Sequence, residues 1–318
     1  MKNPFALLVV LLLMALSATN VAAQNERYEA IVTESLQRGI VDRLCDSVME
    51  GRASGSKGCA LAREYIQERF KSLELKPFYY NSLQSFRYND TIKMHNIMGV
   101  VPALGVSDKY IIVSAHYDHI GIIKGKTYPG ADDNASGVAA MLTVAEMFSQ
   151  MRRDSVGPGV NILFVAFDGK EFSMSGSKYF TSHLNLPPEN IICDINIDIL
   201  GATLVPVHKR LDYLIVLGRN TLPERLRDCI AYANRGRKAL DIDYTFYGSD
   251  DFTRTMYRLG DHYPFYQSGI PALLFTSGFH QHTLKTTDTP DIIDYPVLAR
   301  RTKLIFNTII NLSNGGNR

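Results

Sequence analysis

The chain has 318 residues, 46% of them hydrophobic and 21% charged, which suits one large α/β domain with a well-buried core. Its 34 basic and 32 acidic residues leave a formal net charge of +2, so composition gives no electrostatic ground for nucleic acid or an anionic membrane surface as a partner. Four cysteines (Cys45, Cys59, Cys193, Cys229) follow no zinc-ligand spacing; in an oxidising compartment they allow three complete pairings, with buried thiols as the alternative.

The first residues read as an address. Lys2 supplies a positive start, residues 5–18 are apolar, and Val21-Ala22-Ala23 offers small residues before Gln24. This predicts a secretory signal peptide over 1–23, with the mature domain at 24–318. The apolar run is shorter than the ~20 residues of a spanning helix, and no basic stop-transfer cluster follows. The expectation is a secreted or periplasmic protein without a stable membrane anchor once the signal is removed.

Helices are expected at 29–44 and at 59–72, where Ala62, Tyr65, Ile66 and Phe70 recur at helical spacing. Between them lies a polar, glycine-rich loop at 49–58. The chain then alternates. Apolar, β-rich runs at 96–102, 109–115, 160–167, 192–200, 213–218 and 271–276 are separated by helical patterns that include 136–150, 221–234 and 295–311. Such strands interleaved with helices predict a single α/β domain with a mixed, mostly parallel twisted sheet covered on both faces. Residues 235–268 read as an insertion over the site, whose Tyr244, Phe246, Tyr247, Tyr263 and Phe265 serve either the core or an apolar pocket.

In open α/β sheets ligands bind beyond the carboxyl ends of the strands, so polar residues placed there carry the argument. The strand at 109–115 ends in His116-Tyr117-Asp118, an alternation that sends the imidazole and the carboxylate to one side. The next loop is Tyr128-Pro129-Gly130-Ala131-Asp132-Asp133-Asn134-Ala135-Ser136-Gly137. The strand at 160–167 delivers Asp168-Gly169-Lys170-Glu171. Asp198 stands between Ile197 and Ile199, where an apolar setting obliges a carboxylate to find a partner. The last strand leads to Phe279-His280-Gln281-His282-Thr283-Leu284 and then Asp288-Thr289-Pro290-Asp291. Imidazoles and carboxylates at four successive strand ends form a donor set suited to zinc, as one ion or as two sharing a carboxylate.

At these residues the chain resembles the co-catalytic zinc exopeptidases, a family with a phosphorylase/hydrolase-like fold that includes bacterial leucyl aminopeptidases, aminopeptidase Y, glutamate carboxypeptidase and glutaminyl cyclases. The likeness runs from Met49-Glu50-Gly51-Arg52 to Asp288-Thr289-Pro290-Asp291 and is most specific over 129–137. The resemblance implies two zinc ions and peptide substrates. It makes His116 and Asp198 ligands of one metal, Asp132 the bridging carboxylate, Glu171 a ligand of the other metal and Asp118 the partner that orients His116. It also implies a cis Asp132–Asp133 peptide, and it places Asp261-His262-Tyr263-Pro264-Phe265 near the substrate pocket, with Asp261 and His262 as substrate-binding residues.

Two positions depart from the family pattern. Lys170 stands where the family has the glutamate that takes a proton from the attacking water. Leu284 stands at the ungapped position of a histidine ligand, for which His282, or more distantly His280, is the substitute. Both departures fall on the same half of the centre, which leaves one zinc as an alternative to two. They also count against glutaminyl cyclase activity. The functional expectation is an exported aminopeptidase, with Lys170 and Asp118 among its catalytic groups. The alternative is a member of reduced or lost activity that binds peptides or a partner.

Overall fold

The β-branched, apolar runs of the sequence become the centre of an eight-stranded sheet. A computed structural model describes residues 25–78, 82–205, 210–236 and 239–315; the expected signal peptide lies outside them. In chain order the strands are β1 (Leu83–Tyr88), β2 (Ile92–Val101), β3 (Tyr110–His116), β4 (Gly121–Ile123), β5 (Lys126–Tyr128), β6 (Asn161–Phe167), β7 (Ile191–Ile197), β8 (Tyr213–Leu217), β9 (Asp241–Asp243) and β10 (Ala272–Thr276). The large sheet runs β1-β2-β6-β3-β7-β10-β8-β9, while β4 and β5 form a separate hairpin. Pairing is parallel from β6 through β3 and β7 to β10 and again between β8 and β9, and antiparallel at β1/β2, β2/β6 and β10/β8.

The helices are α1 (Glu34–Cys45), α2 (Lys57–Ser72), α3 (Gly137–Arg153), α4 (Ser175–Ser182), α5 (Cys229–Ala233), α6 (Asp250–Tyr257), α7 (Tyr263–Gln267) and α8 (Tyr295–Ser313). Strand periodicity divides the core in two. Ile111, Val113 and Ala115 of β3 join Ile195 and Ile197 of β7 beneath α1, α2, α3 and α8. Ile112 points to the other face, with Leu163, Val165 and Phe167 of β6, Phe180 of α4 and Phe265 of α7. That second face turns polar toward the strand ends. Ser114 and His116 on β3 alternate in step with Asp194, Asn196 and Asp198 around β7, all buried.

The structure changes one expected helix and adds elements that the sequence reading did not assign. No continuous helix spans 221–234: Leu222 is extended (φ −68°, ψ 146°) before Pro223, and α5 forms only from Cys229. Residues 235–268, read from the sequence as an insertion without assigned elements, hold β9, α6 and α7. The half-exposed, polar edge strand β1 was not anticipated at all. Cys45 donates to the Pro129 carbonyl and Cys59 to Asp168, each at 3.7 Å.

Candidate metal centre

β3 delivers His116 to the end of the sheet, where its ring is fully buried. Its Nδ1 donates to the Asp118 carbonyl (3.1 Å), which turns Nε2 toward Asp198 Oδ1 (3.2 Å) and Asp133 Oδ1 (3.3 Å). The Asp118 carboxylate lies 3.7 Å from Nδ1, accepts the Lys170 and Glu171 amides (both 3.1 Å) and takes a hydroxyl bond from Ser54 (3.3 Å). Asp118 therefore orients both, the imidazole through its carbonyl and the turn that carries Glu171 through its carboxylate.

The loop from Gly130 to Ser136 is where the structure corrects the sequence reading. Asp132 does not bridge. Its Oδ1 accepts the Gly201 amide (2.5 Å) and the Ser136 hydroxyl (2.9 Å), and its Oδ2 accepts the Ala202 amide (3.1 Å) and His280 Nε2 (2.9 Å). With both oxygens committed, Asp132 holds the framework. Asp133 is the acid that faces His116, and the cis peptide is Asp133–Asn134, one residue later than expected. Asp288 accepts both the Asp132 (2.8 Å) and Asp133 (3.1 Å) amides, fixing the pair.

Asn134 secures the far wall. Its Nδ2 donates to Ile197 O (2.8 Å) and its Oδ1 accepts the Ile199 amide (3.1 Å). That second bond stands at a strained point, since Ile199 has φ +55°, a conformation costly for a β-branched residue. Ser277 N (2.6 Å) and the Thr276 hydroxyl (3.1 Å) hold the Ile199 carbonyl in turn. Asp198, at the start of this kink, is thereby aimed at His116.

Past β6 the turn presents Lys170 and Glu171. Lys170 Nζ lies 3.7 Å from Asp198 Oδ2 and 3.8 Å from Glu171 Oε1. Burial disfavours its ammonium, but the charges of Asp198, Asp133 and Glu171 outweigh burial and push its pKa well up. These carboxylates favour its cationic form. Burial also pushes the Glu171 carboxyl up, to about 7, against the opposing pull of Lys170.

Among the described residues, two groups of side chains converge closely enough to hold an ion. One is His116, Asp133 and Asp198; the other is His119, Asp133 and Glu171, each with its donor atoms within 4.8 Å of one another. Asp133 is common to both. Zinc ligands about 2.0–2.1 Å from the ion stand roughly 3.3 Å apart at tetrahedral angles, and the two contacts at His116 Nε2 match that edge. Both ring nitrogens of His119 are buried without a hydrogen-bond partner, and Glu171 Oε1, also without one, has the Lys170 ammonium at 3.8 Å. The residues present fit zinc.

His282 is not brought to the centre. It lies on the surface with Nδ1 2.9 Å from the Thr287 hydroxyl, and Leu284 is 50% exposed. His280 is engaged by Asp132, as described. Asp261 and His262 are fully buried beside the polar end of β7. Asp261 accepts from Ser177 on α4 (2.5 Å), and the His262 ring packs 4.5 Å from that of Tyr257. Phe265 and Phe246 are core residues, while Tyr244 and Tyr263 line a separate cavity of about 530 Å³ with Tyr257 and Tyr266.

Sequence reasoning missed Asp133 and His119. Asp133 lies inside a motif it singled out and His119 one residue past another, but a loop has no periodicity by which to choose between adjacent acids. For His119 the available signal was the spacing His-x-x-His across 116–119. Arg52 was likewise quoted without a role. Its guanidinium is fully buried and donates to Tyr117 O (2.9 Å), Leu44 O (2.7 Å), Pro129 O (2.6 Å) and Gly130 O (2.9 Å), latching together the two loops that carry the ligands.

A family model described as "Peptidase family M28" matches residues 96–309. A protein of Pyricularia oryzae described as "Probable zinc metalloprotease" is 27% identical over 183 residues, covering 52% of this chain and 35% of that protein. "Aminopeptidase YwaD" of Bacillus subtilis is 25% identical over 214 residues, covering 67% and 39% respectively. The chain thus spans less than half the length of either relative. Among solved structures, LapB of Legionella pneumophila superposes with a TM-score of 0.70 at 18% identity, covering 92% of this chain and 75% of that one. A glutaminyl cyclase of Bacteroides thetaiotaomicron superposes with a TM-score of 0.65 at 18% identity, covering 88% and 98%. At these identities the two structures speak to the fold alone.

Proposed function

This chain belongs to peptidase family M28, and from that premise we propose that it is an exported zinc aminopeptidase that releases N-terminal residues from peptides. The observation that carries the reading is the shared Asp133, which places two metal-competent groups side by side at the strand ends. Bound zinc would polarise the scissile carbonyl and acidify a water molecule.

The rest falls to the chain's own residues. His116, Asp133 and Asp198 would hold one ion, with Asp118 orienting the imidazole from behind. The surrounding carboxylates favour the protonated amino terminus of a peptide over a blocked one. Asp261 and His262, at the inner edge of the site, are the proposed wall of the subsite beneath it. Lys170 stands where the family resemblance implies the base; as an ammonium, the form its carboxylate neighbours favour, it would stabilise negative charge and accept no proton. General base catalysis is worth roughly 10²–10⁴-fold, which sets the expected shortfall in rate. The same lysine counts against glutaminyl cyclase activity.

A second reading has one observation in its favour: the Lys170 ammonium reaches both Asp198 and Glu171 and so supplies charge that a second ion would bring. On that reading the chain binds peptides without cutting them. Both readings are tested by following amino-acid release from a broad peptide panel after zinc loading. Slow release that Lys170→Glu raises by roughly 10²–10⁴-fold supports the aminopeptidase. No release from either form supports the binding protein.

A further inference from the structure

The sequence leaves one metal seat short of a histidine, because the 279–288 loop offers only Leu284 at the ungapped position. The structure shows why neither histidine of that loop makes good the loss. His280 Nε2 is spent on Asp132 Oδ2 (2.9 Å), and His282 lies at the surface against Thr287. A different imidazole is already in place. His119, three residues after His116, is buried at 1% exposure, and neither ring nitrogen has a hydrogen-bond partner. Its Nδ1 lies 4.0 Å from Asp133 Oδ2, and it shares one close donor group with Asp133 and Glu171.

Buried polar atoms without partners are costly; His262 shares that condition, but of the two rings it is His119 that stands within one close donor group with two carboxylates. The ring's position is also fixed by its surroundings. The His119 amide donates to Arg52 O (3.1 Å), and Arg52 ties the 117–119 segment to Pro129 and Gly130. Gly130 leaves the space that the ring occupies: with φ +59°, a Cβ there would lie 2.6 Å from ring atoms of His119. The chain has thus built a seat for this ring beside the acid common to both groups.

We infer that His119 is the imidazole ligand of the second metal, taking from the β3 loop the role that the family pattern gives to the 279–288 loop. The inference rests on the zinc-peptidase reading and narrows it to one residue. Two ions would then be held by His116, Asp133 and Asp198 on one side and by His119, Asp133 and Glu171 on the other. The 279–288 loop would serve as framework only.

The test is the number of zinc ions retained per chain after reloading the metal-free protein, read by elemental analysis, for the native chain, His119→Gln and His282→Ala. Two ions are expected for the native chain and His282→Ala, and one for His119→Gln. Cadmium-113 NMR of the native chain gives a readout independent of any variant's folding: two signals are expected, each coupled to one imidazole. Loss of an ion in His282→Ala with none lost in His119→Gln would overturn the inference and leave the zinc-peptidase reading intact. So would a native chain that holds one ion whether or not His119 is present. A native chain that takes up no zinc would overturn both.

Discussion

Charge sets the terms at the residue scale. Asp118, Asp133, Glu171 and Asp198 gather four carboxylates around two imidazoles and a single ammonium, all largely shielded from water. Burial disfavours charge on these acids, yet Lys170 and His116 hold Asp133 and Asp198 below the usual carboxylate range, while other buried acids are pushed up. Burial and the Asp118 charge push Asp168 up to about 6, and burial pushes Asp261 up to about 6. Histidines kept from water behave in the opposite sense. Burial pushes His262 down to about 4, only partly offset by Asp198. Between pH 6.5 and 4 the unfolded chain therefore binds a proton that folded His262 refuses, and stability falls as the pH falls. The raised acids pull the other way over part of that range, so the net curve does not isolate the histidine. Comparing the native chain with His262→Gln does. The native chain should lose about 2 kcal/mol more than the variant between pH 6.5 and pH 5, in denaturant titrations at both values. An equal loss would show that folding leaves the His262 pKa where it is in the unfolded chain.

At the scale of elements, two buried arginines set the geometry of the ligand loops. Arg301 on α8 donates to Leu200 O (2.6 Å), Ala202 O (2.9 Å) and Tyr213 O (2.7 and 3.0 Å), fixing the segment whose amides clamp Asp132. Arg52 does the same for the loops bearing His116, His119 and Asp133. Replacing Arg52 by methionine takes a charged donor from four carbonyls, of which Pro129 O keeps the Cys45 thiol and Gly130 O the Ala135 amide. The expected cost is about 3 kcal/mol or more, seen as a lower Tm together with weaker zinc retention. An unchanged Tm would mean that the loops hold their shape without the latch.

These ties span distant parts of the chain, and that decides what was legible beforehand. β3, β6 and β10 could be placed to within a residue because each is an apolar, β-rich run. α5 was overextended because Pro223 breaks a pattern that otherwise looks helical. β1 was invisible because its polar residues face solvent at an edge. In the site, His116 and Asp198 were legible as strand-end residues. The choice of Asp133 over Asp132 was not, because it depends on amides at 201 and 202 and on His280, all remote in sequence. The single-domain α/β fold with a mixed sheet was legible as a whole.

For the whole molecule, membership of the M28 family and the shared acid lead to one physical consequence. A fold that concentrates negative charge at its strand ends should be stabilised by whatever cation fills them, since a ligand bound to the native state alone adds to its stability. No helix among the described residues is long and apolar enough to cross a membrane, and the proposed export rests on the residues before 24. The account turns on which acid the two metal groups share. Its most direct test is the zinc retained per chain by Asp133→Asn and Asp132→Asn, measured side by side on folded protein. Asp133→Asn should lose zinc from both seats, whereas Asp132→Asn should keep zinc with weaker affinity, by roughly 10–100-fold, as expected of a supporting group. Full zinc retention by Asp133→Asn, with complete loss in Asp132→Asn, would contradict the account.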